Sequence, residues 1–202
     1  HFEELKVTLG ALQKAEVPCI LMKGGALAYT VYPTPRCRYS NDVDLWIRGE
    51  SSPAAIEALE AVGYAPHASK LRPSAYKARF GGVYKLLGPA QAGRGLVELQ
   101  WPAFRGEWVR LTTAIDHEGI WQRRVPLRIG DAQATIMAPE DLLVHLAVHA
   151  AVNHQFAIWL GALLDIHLLV TRTPAFGWEA LVERAQAWRV HAALWAILPV
   201  TP

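Results

Sequence analysis

The sequence predicts an α/β chain of the α+β kind, with a small mixed sheet and flanking helices over residues 1–137 and a helical bundle over residues 138–202. Three observations predict it. Short apolar or alternating stretches, C-I-L-M at 19–22, D-V-D-L-W-I at 42–47 and G-L-V-E-L-Q-W at 95–101, have the length and period of strands. Helical repeats precede and separate them, at 2–15 and 51–62. From Pro139 onward only the helical period remains. With 52% hydrophobic and 19% charged residues, the chain has the composition of a core-forming globular protein.

Taken in order, Phe2, Leu5, Leu9 and Leu12 line one face of the first helix, which that pattern packs over the sheet. Cys19 to Met22 is too short for a helix and long enough for a buried strand. Gly24 and Gly25 follow, then the strong helix formers Ala26, Leu27 and Ala28. A short helix from Gly25 to Tyr32 is predicted, stopped by Pro33 and Pro35. A strand, a glycine pair and a helix start present backbone N–H groups to an anion with no side chain in the way. In the loop Thr34 to Asn41, Arg38 reads either as a phosphate contact or as a solvated side chain, and so does its neighbour Arg36. Ser40 can donate to a phosphate oxygen or cap the turn into the next strand. In that strand Asp42 and Asp44 share one face, while Val43, Leu45 and Ile47 point into the core. Two carboxylates about 7 Å apart along a strand suit hard cations such as Mg²⁺. Alone, an Asp-x-Asp is as readily a solvated sheet face, and a glycine pair a tight turn. In this order the two features suit nucleotide phosphates.

Ser51 or Ser52 caps the next helix, with Pro53 near its first position, Ile56, Leu59 and Val62 toward the sheet, and Gly63 at its end. Tyr76 to Leu87 reads as strand turned at Gly81–Gly82, with Lys77, Arg79 and Lys85 either a basic strip near the nucleotide or, as is commoner, an exposed sheet face. In Gly95–Trp101, Val97, Leu99 and Trp101 fall on one face, and Leu96, Glu98 and Gln100 on the other. Glu98 in so apolar a run needs a partner if buried, and a cation shared with Asp42 and Asp44 would supply it. Residues 103–122 show no clear period, and D-H-E at 116–118 reads as surface loop. Arg123–Ile129 and Gln133–Met137 read as strands around the Gly130–Asp131 turn.

Pro139 opens a helix with Glu140 and Asp141 in its first turn and Leu142, Leu143, Leu146 and Ala150 on its core face. Ile158 to Val170 is apolar on most sides, which predicts a buried helix, and Asp165 within it needs a charged or hydrogen-bonding partner. Trp178, Leu181, Val182, Ala185 and Trp188 mark a third helix, and His191 to Leu198 a fourth. His145 and His149 have the i, i+4 spacing of a zinc pair, with His154 or Asp165 as a third ligand. Leu146 stands where the H-E-x-x-H pattern places its glutamate. Packing, hydrogen bonding or, for His149, contact with an acceptor are the alternatives.

The order K-G-G-A-L-A, a tyrosine–proline pair, an arginine and S-N-D-V-D-L-W-I resembles the DNA-polymerase-β-like nucleotidyltransferase superfamily. It looks most like a bacterial branch known simply as nucleotidyltransferase family proteins. P-E-D-L-L-V-H-L-A-V-H-A-A and W-L-G-A-L-L-D-I extend the likeness over most of the chain. The resemblance implies a polymerase-β-like sheet and Mg²⁺-dependent transfer of a nucleoside monophosphate from an NTP to an acceptor hydroxyl. It implies two Mg²⁺ ions (Mn²⁺ as a substitute) at Asp42, Asp44 and Glu98, which are both metal ligands and catalytic residues. It implies a phosphate site at Lys23, Gly24, Gly25, Arg38 and Ser40. Two departures stand out: the spacer from Ala26 to Asn41 is longer than in compact members, and Glu98 and Gln100 stand where the branch carries aspartate and histidine. Relatives of the fold that serve as antitoxin or regulatory subunits imply the alternative of a non-catalytic nucleotide-binding or partner module. A zinc hydrolase at His145 and His149 is a third reading.

The net charge of +2 gives no electrostatic case for nucleic acid as the main partner. The resemblance implies as partners an NTP and an unidentified small-molecule, peptide or protein acceptor. No run of 18 apolar residues and no signal-peptide pattern occurs. Cys19 and Cys37 read as a buried and a loop thiol in a reducing, cytoplasmic compartment. The chain opens mid-helix without a methionine and ends abruptly at V-T-P, as a trimmed piece would.

Overall fold

Residues 2–67, 82–88, 95–154 and 160–198 are described by a computed structural model. Among them, β1 (Cys19–Leu21), β2 (Asp42–Ile47), β3 (Ala65–Pro66), β4 (Val83–Leu87), β5 (Leu96–Gln100), β6 (Val125–Ile129) and β7 (Ala132–Ile136) form one mixed sheet. Its order is β3-β4-β5-β2-β1-β7-β6. β2 runs parallel to β5 and antiparallel to β1, and β1 is parallel to β7. The remaining neighbours, β3–β4, β4–β5 and β6–β7, are antiparallel.

Both faces of the sheet are covered. On one, Val43, Leu45, Ile47, Val97 and Leu99 pack against Leu5, Leu9 and Leu12 of α1 (Phe2–Lys14) and Leu59 of α3 (Ser52–Ala61). This is the face the alternation of β2 and β5 assigned to the core. Between these two helices in sequence comes α2 (Lys23–Thr30), which begins two residues earlier than predicted and takes the glycine pair into its first turn. On the opposite face, Ile20 and Trp46 join Leu27 of α2 and the C-terminal helices in a second core. The acid-bearing face of β2 is therefore dry at its Trp46 end, where Trp46 meets Trp121 edge-on at 5.0 Å.

The loop expected at 116–118 is a correction. Residues 103–122 contain α4 (Glu107–Thr112) and α5 (His117–Gln122). Asp116 caps α5 by accepting from Gly119 N at 2.8 Å, and Ile120 and Trp121 are buried. Each helix is too short to show a hydrophobic period.

Then come α6 (Pro139–Val148), a π-helical turn His149–Asn153, α7 (Leu160–Arg172), α8 (Trp178–Ala187) and α9 (His191–Ile197). α7 is not buried all round. It turns Asp165, Ile166 and Leu169 inward, while Leu160 is 80% and Leu164 45% exposed. An outermost helix has only one side to bury. Tyr76, Lys77, Arg79, Gly81 and Ile158 lie outside the described residues; Gly82 is described, at φ 60°. Cys19 and Cys37 are both free thiols, and burial pushes the Cys19 thiol up to about 12. No helix among the described residues is long and apolar enough to cross a membrane.

Candidate active site

Strand pairing brings the acids together. Parallel β2 and β5 set Asp44 opposite Glu98 and Trp46 opposite Gln100, so Glu98 shares a face with Asp42 and Asp44. Asp44 and Glu98 are each only 5% exposed. Buried carboxylates need compensation, and the sequence supplies it locally. Lys23 Nζ donates to Asp44 Oδ1 at 2.8 Å, and Gln100 Nε2 donates to the same oxygen. Lys85, directly opposite Glu98 on β4, pairs with Glu98 Oε1, and Arg105 lies 3.7 Å from Oε2. Burial raises the Asp44 carboxyl above its ordinary value; Lys23 opposes the rise, and Asp42 and Glu98 add to it. Asp42 is half-buried, and Ser40 Oγ donates to its backbone oxygen at 3.0 Å and to its carboxylate at 3.3 Å.

The glycine pair differs from the open anion cradle expected. Gly24 and Gly25 are both buried. A Cβ on Gly24 would sit 3.2 Å from the Arg38 guanidinium and 3.3 Å from Ser40 Oγ, and one on Gly25 would sit 2.7 Å from Leu21 Cδ1. The loop before β2 folds over the first turn of α2 because Arg38 is drawn across it. Arg38 Nε and one of its terminal nitrogens donate to the two oxygens of Asp165 at 2.7 and 2.8 Å, and Tyr32 adds a hydrogen bond at 2.7 Å. Asp165 thus has the partners its apolar helix required. The first N–H groups of α2 keep no intrahelical acceptor; Ala26 N is the first to bond back, to Met22 O at 3.4 Å. Lys23 holds a left-handed φ of 49°, uncommon for a residue with a Cβ.

The donor set fits Mg²⁺. Its oxygens are hard, the three acids share one face, and a divalent cation would relieve the repulsion by Asp42 and Glu98 that adds to the effect of burial on Asp44. Asp44 takes both hydrogen bonds on Oδ1, and Oδ2 takes none among the described residues. No three His, Cys, Asp or Glu side chains among those residues gather closely enough to hold a metal alone. Mg²⁺ asks for less, commonly one or two carboxylates completed by phosphate and water.

The histidines are not a zinc cage. His145 is buried, with Nε2 3.2 Å from Ala103 O and its pKa lowered to about 3, chiefly by burial. His145 Nδ1 and Gln100 Oε1 have no partner among the described residues, and both side chains border a cavity of about 10 Å³, room for one water. Arg105, Tyr32 and the pairing of Lys85 with Glu98 were not legible as site features. Arg105 follows the cis Trp101–Pro102 bond in a stretch without period, and Tyr32 finds its partner 133 residues away.

A family model described as an uncharacterised nucleotidyltransferase matches residues 1–201. No curated protein matches the chain. Among solved structures, the solution structure of the antibiotic-resistance factor ANT(2'')-Ia is 15% identical, with a TM-score of 0.60, over 96% of this chain and 95% of that one. The crystal structure of ANT(2'')-Ia in complex with adenylyl-2''-tobramycin gives 14% and 0.60, over 95% and 98%. The crystal structure of the lincosamide antibiotic adenylyltransferase LnuA, lincomycin-bound, gives 15% and 0.54, over 85% and 97%. At such identities the likeness is one of fold.

Proposed function

Since the chain belongs to the uncharacterised nucleotidyltransferase family, we propose that it moves a nucleoside monophosphate from an NTP such as ATP to an acceptor hydroxyl, releasing pyrophosphate. The observation that carries this reading is the register of β2 with β5, which sets Asp44 against Glu98 on the face that also bears Asp42. Asp42, Asp44 and Glu98 are the residues that would hold Mg²⁺, two ions in the full complement, with Mn²⁺ able to substitute. Bound there, the metal would neutralise triphosphate charge and lower the pKa of the acceptor hydroxyl.

The chain's own groups do the rest. Lys23 is within reach of both Asp44 and the first turn of α2, and carries its charge from the carboxylate to the phosphates. Gly24 and Gly25 offer N–H groups from that turn, and Ser40 a hydroxyl. Arg38 holds the loop over the glycines through Asp165, and its guanidinium beside Gly24 adds positive charge there. The acceptor oxygen attacks the α-phosphorus, the bond to the β-phosphate oxygen breaks, and Glu98 takes the acceptor proton. Positioning and electrostatic stabilisation supply most of the rate. In this scheme residues 1–137 provide the nucleotide groups and residues 138–202 the opposite wall. Solved neighbours of the fold carry small-molecule ligands, lincomycin and adenylyl-tobramycin, which supports an acceptor of modest size, a small molecule or peptide. The free thiols of Cys19 and Cys37 support a cytoplasmic setting.

Incubation with each α-labelled NTP, Mg²⁺ and cell extract tests the proposal. Asp42→Asn or Asp44→Asn should lower label transfer by about 10²–10³-fold; equal transfer by wild type and variants removes it. One observation favours a second reading, a nucleotide-binding or antitoxin-like partner module without turnover. Asp44 and Glu98 already carry protein cations, Lys23 on one and Lys85 with Arg105 on the other. Mg²⁺-dependent thermal stabilisation by NTP without any label transfer marks that case.

A further inference from the structure

The helical wall of the cleft holds a polar cluster that the acids do not use. α6 runs into the π-helical turn His149–Asn153, and His154 follows. His149 Nδ1 lies 3.1 Å from Asn153 Oδ1, and His149 Nε2 lies 3.1 Å from His154 Nε2. An amide oxygen only accepts, so the His149 hydrogen is assigned to Nδ1, and its Nε2 receives the N–H of His154. His149 and His154 line a cavity of about 110 Å³ together with Lys23, Arg38 and Asp165. Lys23 and Arg38 reach this cavity already paired, with Asp44 and Asp165, and the cations of Lys23 and Arg105 are the full charges that bear on His149. Burial, and then the charges of Lys23, His145, His154 and Arg105, keep the His149 imidazole neutral, with its pKa lowered to about 2. Such surroundings repel a metal cation and offer N–H donors to an anion.

We propose that this cavity takes a phosphate group, held from the helical side by His154 and His149 and from the sheet side by Lys23 and Arg38. The proposal rests on the nucleotidyl-transfer reading for the identity of the ligand: a terminal phosphate of the NTP, or the pyrophosphate before it leaves. The N–H that His154 gives to His149 is the one it turns to the phosphate. His149 stays neutral and contributes the Nδ1 hydrogen that it otherwise gives to Asn153. The groups facing it are Lys23 from α2, Arg38 from the loop before β2, Arg105 from the loop after β5, His145 from α6, His154, and Asp165 from α7.

Isothermal titration of the whole chain with sodium pyrophosphate, without divalent cations, tests this at pH 8. Affinity should fall on the order of 10- to 100-fold in His149→Gln/His154→Gln. His154 is exposed, so His154→Gln alone leaves the core intact and should still weaken binding several-fold. Pyrophosphate bound equally by wild type and His154→Gln, or not bound by wild type, overturns the proposal. ATP losing affinity in parallel identifies the nucleotide's own phosphate; a loss confined to pyrophosphate identifies the released product. Should wild type transfer no label while pyrophosphate binding still needs the two histidines, the transfer reading falls and the phosphate site stands.

Discussion

At the scale of single residues, the two adjacent glycines make different demands. A methyl on Gly25 presses into Leu21, a fully buried neighbour, at 2.7 Å. Gly25→Ala gains up to about 1 kcal/mol of helix propensity and loses about 1–3 kcal/mol to overpacking, so urea melts should show net destabilisation. Gly24→Ala meets only the Arg38 guanidinium and Ser40 Oγ, at 3.2–3.3 Å, and stability should stay within about 1 kcal/mol of wild type. His145 carries a pH signature. Its folded pKa of about 3 lies below the ordinary 6.5, chiefly because it is buried. Below pH 6.5 the unfolded chain therefore takes a proton that the folded chain refuses. Its contribution to stability is complete above 6.5 and is lost as pH falls toward 3, at about 1.4 kcal/mol per unit. His145→Gln should reduce the stability lost between pH 7 and pH 5 by about 2 kcal/mol; an unchanged loss contradicts the assignment.

At the scale of elements, the Arg38–Asp165 pair ties the loop before β2 to α7. Its side chains are only 12% and 4% exposed. Removing one partner strands the other, so Arg38→Met or Asp165→Leu should each cost about 3–5 kcal/mol. The double variant should lose clearly less than the two losses added, and additive losses would mean that the pair is not coupled. The same contact shows where reading the sequence stopped. β2 was legible because acid and apolar residues alternate from Asp42 to Leu45 and an apolar run completes it to Ile47, and β5 because Glu98 stands in an apolar run. Their relative register was not, because pairing between distant strands leaves no local pattern. Arg38 could be a phosphate ligand or a loop residue on sequence alone, since Asp165 lies 127 positions away. Lys85 looked like an exposed sheet charge until β4 was set against β5. α5 escaped notice because six residues are too few to show a period, although Asp116 with Gly119 carries a capping signal.

At the scale of the whole molecule, one sheet separates two cores, and the acids stand on the face shared with the C-terminal helices. Leu45, fully buried beneath α1 and α3, and Ile166, buried on α7, belong to different cores. Leu45→Ala and Ile166→Ala should each cost about 2–5 kcal/mol and shift a single cooperative transition, because β1 and β2 contribute side chains to both cores. Separate transitions in calorimetry would show the layers to be independent. The functional account depends on Asp42, Asp44 and Glu98 acting as one cation site completed by nucleotide. Mn²⁺ binding followed by electron paramagnetic resonance, with and without a non-hydrolysable NTP, tests that most directly. Tight Mn²⁺ binding that requires the nucleotide and disappears in Asp44→Asn and Glu98→Gln is the predicted result. Mn²⁺ held equally by wild type and variants, or never held with nucleotide present, would contradict it.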